Sequence, residues 1–230
     1  MDQSKIKSRL LVDIILIFAI TFAFYGVYYI YKDEALAFFS DKNNDILLRS
    51  FLLDFLHFGQ GGLATIIVIA FRKEKLEDLG LTKKNLFPTL TYSSILLLAY
   101  WAIVLIRGPW RLFYPFRAAF VYDEMLSAPF HTMVFGMLAY LLVYGFVEGY
   151  NYAYISKKIN RRWPVKNIFL SPGPIILSIL GFLAHSIVGV SGWAESLQLL
   201  FVIYGMLIIY EKTENAWGCI FLFSLIWNTL

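Results

Sequence analysis

Long apolar runs, each closed by a short charged or glycine- and proline-containing segment, follow one another along the whole chain. Seven of them cover residues 10–31, 46–71, 90–106, 129–152, 172–190, 193–210 and 216–230. About 20 apolar residues cross a bilayer as a helix, and an open strand inside lipid would leave its backbone groups without partners. The pattern therefore predicts an all-α, polytopic transmembrane helical bundle of about seven spans. The last run is short and is expected to cross only partway. No internal repeat, long linker or second soluble domain interrupts the series.

Composition agrees with that reading and removes several others. Of the 230 residues, 59% are hydrophobic and only 16% charged, with a mean hydropathy of +0.65; a soluble domain carries about 25% charged residues. Seven prolines and the lack of Ser/Gly tracts exclude a disordered or collagen-like chain. The single cysteine, Cys219, excludes a disulfide framework and a cysteine-based zinc site. Lys5, Lys7 and Arg9 precede the first apolar run as they would in a secretory leader. That run is too long for a leader, and the small residues at Ala35 and Ala37 follow Asp33 and Glu34, a poor cleavage context. An uncleaved first span is expected.

The net charge of +4 raises the question of a nucleic-acid partner. The basic residues are distributed over loops instead of gathered into one patch, so none is expected. Fourteen of the twenty Lys and Arg fall at 5–9, 72–84, 157–166 and 212. With seven spans these segments share one side, and positive loops stay inside. The expectation is a multi-pass protein of the plasma membrane with a cytoplasmic N-terminus, whose first partner is the lipid bilayer.

Polar residues inside the spans carry the functional information, because a charge at a helix centre costs about 2.5–3.5 kcal/mol or more. Asp13 lies one turn into the first span and reads as a carboxylate at headgroup level. Asp54, His57 and Gln60 recur every three residues on one face; they either line a cavity or lock two spans together by hydrogen bonds. Glu148 and Asn151 share a face of the fourth span, His185 lies in the fifth, and Ser224 and Asn228 form an i,i+4 pair in the last. At 1.5 Å per residue these groups reach compatible depths, about 10–20 Å from the cytoplasmic edge. A Glu and a His facing one another in a low-dielectric cavity can activate water, and Ser/Asn groups can donate to an oxyanion. On these residues alone, helix-packing hydrogen bonds are the commoner explanation, since an intramembrane His more often bonds between helices than catalyses.

The order of the segments adds to this. Residues 76–81 read LEDLGL, the fourth span carries VEGYNYAYI (147–155), the fifth SILGFLAHS (178–186), and the end reads YGMLIIYEKTENAWGCIFLFSLIWN (204–228). Over residues 75–230 this succession resembles the CAAX-protease and bacteriocin-processing (Abi) family of intramembrane proteases, related to the Ras-converting enzyme; residues 1–74 are generic transmembrane helices. That family has three motifs: Glu-Glu-x-x-x-Arg, Phe-x-x-x-His and His-x-x-x-Asn. Glu148 stands at the first Glu, with Gly149 at the second and Ala153 at the Arg. His185 stands at the middle His, with Gly181 at the Phe and Phe182 beside it. Asn228 stands at the last Asn, which puts Ser224 at the His; counting forward from Trp217 instead pairs Phe223 with Trp227 and loses the third motif.

The resemblance implies an intramembrane endopeptidase. Glu148 would act as general base, His185 would hold the water, and Asn228 with Ser224 would donate to the oxyanion. The substrate would be a membrane-associated peptide or lipidated protein, such as a prenylated tail or a bacteriocin leader. It implies no cofactor. Two other readings remain: a catalytically inactive Abi-like scaffold or regulator, and a transporter using Glu148 and His185 as a proton relay, for which inverted repeats are not visible. Glu148, His185 and His57 offer three metal ligands on paper, but carboxylate–imidazole activation of water needs no metal, and no metal is expected.

Overall fold

Apolar runs without strand-like alternation fold as helices. The computed structural model describes residues 3–107, 121–188 and 192–226, and no strand occurs among them. The helices are α1 (Gln3–Ile30), α2 (Lys32–Ser40), α3 (Ile46–Gly61), α4 (Leu63–Arg72), α5 (Leu86–Arg107), α6 (Tyr122–Ser127), α7 (Phe130–Tyr140), α8 (Glu148–Arg162), α9 (Pro172–Val188), α10 (Trp193–Thr213) and α11 (Trp217–Ile226). A seven-residue π-helical stretch, Leu141–Val147, joins α7 to α8 without a break.

Among the described residues, four helices are long and apolar enough to cross a membrane: α1, α5, the 33-residue rod from α7 to α8, and α10. The α3–α4 pair, bent by 56°, makes a fifth if taken as one span. Four spans, or five with the bent pair, thus stand among the described residues where the sequence pattern predicts about seven. Helix α9 has 17 residues, about 25 Å, and α11 has 10; both are apolar but short.

The rod α7–α8 occupies the middle of the bundle. Helix α8 packs against α1, α9 and α11, α10 lies between α9 and α5, and α11 fills the space between α5 and the π-helical stretch. Large apolar side chains such as Phe22, Phe55, Phe87, Phe130, Phe135 and Trp193 face outward. A surface so apolar suits lipid, not water.

One end of the bundle collects the basic segments. Lys157 Nζ donates to Asp78 O at 2.5 Å, Asn85 Nδ2 to Thr213 O at 3.0 Å, and Asn215 Nδ2 to Thr82 O and Lys84 O at 2.8 and 2.7 Å. The LEDLGL segment is a 3₁₀ turn ending at Gly80, whose φ of 99° favours glycine. Gly80 O accepts from Ala216 N at 2.8 Å. The motif is thus a plug that ties the α4–α5 connection to the turn between α10 and α11.

Beneath this plug lies a buried ion network. Asp13 receives Arg72 Nε at 2.8 Å and Lys158 Nζ at 2.9 Å. Lys158 also reaches Glu74 at 2.6 Å, and the Tyr154 hydroxyl donates to Glu74 at 2.7 Å. Asp13 and Lys158 are 1% and 2% exposed, so this carboxylate is an ion buried among protein groups that joins α1, α4 and α8. At the opposite end the buried Arg49 guanidinium binds Phe39 O, Asn44 O and the Glu124 carboxylate on α6. That contact holds the Glu124 carboxyl below its ordinary pKa range.

Candidate functional site

Glu148 is the first residue after the π-helical stretch, where the rod faces α3, α1 and α9. Its carboxylate is nearly buried, at 9% exposure. Oε2 lies 2.8 Å from Nε2 of His57 on α3, with the ring N–H as donor when Glu148 is ionised. The imidazole stacks on Tyr144, one turn earlier in the rod, with centroids 4.2 Å apart and planes 21° apart. Tyr144 in turn meets Tyr140 edge-on at 5.7 Å, and Ser50 Oγ bonds to the Tyr140 hydroxyl at 3.2 Å. Asp54, one turn before His57, faces the Ser50 and Tyr144 hydroxyls. The Asp54–His57–Gln60 face therefore does both things its spacing allowed. It bonds to a second span, and Gln60 lines a cavity.

Two cavities share Glu148 as a wall. The larger, about 360 Å³, runs between α1, α8 and α9, within the size range of small-ligand pockets. Phe18, Phe22, Ile155, Leu177 and Leu180 make its apolar lining, and Gln60, Glu148 and Asn151 form a polar end. Asn151 is fixed by Thr65, whose Oγ1 donates to Asn151 Oδ1 at 2.5 Å. The smaller cavity is about 10 Å³ and is lined by Glu148, His185, Tyr152, Leu199, Ile203, Phe223 and Ile226. That is the room of about one water molecule. His185 Nδ1 is buried and has no protein hydrogen-bond partner among the described residues. A buried imidazole nitrogen without a protein partner calls for a small polar occupant such as water.

Glu148 and His185 are thus brought to one space, but the direct partner of Glu148 is His57. Asn228 lies outside the described residues. Ser224 is turned away from Glu148: its hydroxyl donates to Ile220 O at 2.8 Å within α11, and its side chain packs on Gly145. Ser224 does not line the small cavity that Glu148 and His185 share. Phe223 takes the cavity position, stacked on Tyr152 at 5.0 Å.

Three positions where the sequence differs from the motifs it resembles are closely packed. A Cβ on Gly149 would lie 2.8 Å from both Cys219 O and Ile220 Cα of α11, so backbone fills the place where a second Glu would branch. Ala153 is fully buried, with no room for an Arg. A Cβ on Gly181 would lie 2.6 Å from Ile203 Cδ1, and Phe182 packs on Trp193 instead, with centroids at 5.3 Å. Gly149→Ala is accordingly expected to destabilise the bundle by about 1–3 kcal/mol, the usual cost of overpacking. Gly149→Glu, which recreates the motif, should not accumulate as folded protein. Thermal unfolding of the detergent-purified variants checks both; a Gly149→Ala variant as stable as the parent would show that α11 yields freely.

Three groups of His, Cys, Asp or Glu do not converge to metal-binding distance anywhere among the described residues. Comparisons with family models, with curated proteins and with solved structures found no match to this chain. The sequence grouped His57 with Glu148 and His185 only as metal ligands on paper, not as the hydrogen-bonding partner of Glu148. The only signal was the inward face that His57 shares with Asp54 and Gln60, which says that it points to a neighbour and not to which one.

Proposed function

We propose that this chain is an intramembrane hydrolase that cleaves a membrane-associated peptide with water activated by Glu148. The observation that carries the reading is the position of Glu148 as the common wall of an apolar pocket and a one-water cavity. A substrate segment resting in the first is brought beside water held in the second, between Glu148 and His185. Glu148 takes the proton of that water, the oxygen attacks the peptide carbonyl, and the proton passes to the leaving amine as the C–N bond breaks. His185, on the far side of the cavity, holds the water through its open nitrogen. The low dielectric of the site strengthens these contacts relative to water.

The test is cleavage of membrane-anchored peptides by the purified chain in liposomes. Specific cleavage within the anchored segment supports the reading, and intact substrate under all lipid compositions removes it. A second reading, an inactive scaffold of the same fold, is favoured by one observation: among the described residues α11 gives the small cavity only Phe223 and Ile226, neither of which can donate to an oxyanion.

The bundle end that carries Arg72–Lys84 and Lys157–Lys166 is proposed to face the cytoplasm of the cell, with the N-terminus. Single cysteines introduced at Lys75 and Arg161 in a Cys219→Ser background should resist impermeant maleimide added to intact cells and react after permeabilisation. Labelling of either residue in intact cells would invert the topology.

A further inference from the structure

The second polar group beside Glu148 comes from a different helix than the motif would supply it from. At Gly149 the α11 backbone stands where a neighbouring carboxylate would branch. On the opposite flank, α3 ends at Gly61 and the chain bends by 56° before α4. This bend passes alongside Val147 and Glu148, since a Cβ at Gly61 would touch the Glu148 side chain and one at Gly62 would strike Val147. The two glycines let α3 come close enough for His57 to bridge the end of the π-helical stretch. Its ring stacks on Tyr144 and its Nε2 binds Glu148, four residues later. Tyr144 is held by the fully buried Tyr140. The imidazole is therefore fixed in plane and direction before any substrate arrives.

We propose that His57 is a positioning residue for Glu148, and that it does from α3 what an adjacent carboxylate at residue 149 has no space to do. The proposal rests on the hydrolytic reading above. The imidazole N–H stays on Oε2 and orients the carboxylate, so that Oε1 is the oxygen presented to the water. During the reaction the water O–H bond breaks toward Oε1 and the water oxygen bonds to the carbonyl carbon. The same proton then moves from Glu148 to the amine nitrogen as the C–N bond breaks. His57 begins and ends the cycle with its own proton. A misplacement of about 1 Å at a reacting group can cost about 10²-fold in rate.

The experiment uses the full chain in liposomes with a membrane-anchored peptide substrate. His57→Ala should lower kcat by up to about 10²-fold with KM unchanged. His57→Gln, which retains an N–H near the Nε2 position, should recover most of the loss, and added imidazole should restore part of it in His57→Ala. Because the chain has only three histidines, ¹⁵N-histidine spectra give a readout independent of turnover. Glu148→Gln should move the His57 ring signals more than those of His131. Full activity in His57→Ala, a loss confined to KM, or a His57 signal indifferent to Glu148→Gln would each overturn the proposal while leaving the hydrolytic reading in place. Absence of cleavage by the unaltered chain overturns that reading, and this one with it.

Discussion

Glu148→Gln is expected to lower peptide cleavage by about 10²–10⁴-fold, the contribution of a positioned general base, without lowering the amount of folded protein in the membrane. Glutamine has the same length and its carbonyl oxygen still accepts from His57, so the contact at 2.8 Å survives. What disappears is an oxygen able to take a proton. The loss should fall on kcat, because the apolar lining of the larger cavity is untouched and ground-state binding depends on it. Cleavage rates for the two proteins, measured at matched concentration in liposomes, decide the matter. Equal rates would mean that Glu148 is a structural ion, and the scaffold reading would then stand alone.

Asp13→Ala should be the most destabilising single change outside the site. It leaves Lys158 with Glu74 alone and frees Arg72, which is partly exposed and can reach solvent. Removing one partner from a buried ion network costs about 3–5 kcal/mol. The low end applies here because Glu74 remains, and about 3 kcal/mol in a chain of this size lowers Tm by roughly 6–12 °C. Asp13→Ala combined with Lys158→Met removes the uncompensated charge as well and should recover part of the loss. Unfolding followed by circular dichroism in mild detergent measures both. A Tm for Asp13→Ala within about 1 °C of the parent would show that the network contributes little.

The helical class and the rough positions of the spans were legible because lipid enforces a single local solution, an apolar helix, on every run. The meeting of Glu148 and His185 at one cavity was legible for a related reason: counting residues from the span ends gives depth directly. Direction around the helix axis is another matter. Helix α11 is apolar on every side, so nothing in its sequence says whether Phe223 or Ser224 faces Glu148, and one residue is about 100° of rotation. Partners distant in sequence were equally hidden. Asp13 meets Arg72 and Lys158 across 59 and 145 residues, and a carboxylate near the start of a span looks the same whether it faces headgroups or an interior lysine. The bend at Gly62 was concealed inside one uninterrupted apolar run.

The π-helical stretch between α7 and α8 has a consequence for how this chain can vary. A π turn takes up more residues than an α turn, so the stretch acts as a phase adjuster between the two halves of a single rod. The outer half can be dialled to suit lipid and α3, while the inner half keeps Glu148 pointed at the two cavities. Deleting one residue from 141–147 would let the rod relax into ordinary α-helix with no loss of hydropathy. It would leave Glu148, Asn151 and Lys158 facing nearly the same way, because the π stretch winds one residue more than an α-helix into almost the same rotation; a residue lost from α7 would instead swing them by about 100°, away from His57, Thr65 and Asp13. The stretch is thus the place in the rod where a residue can be lost with the least change in the direction of Glu148.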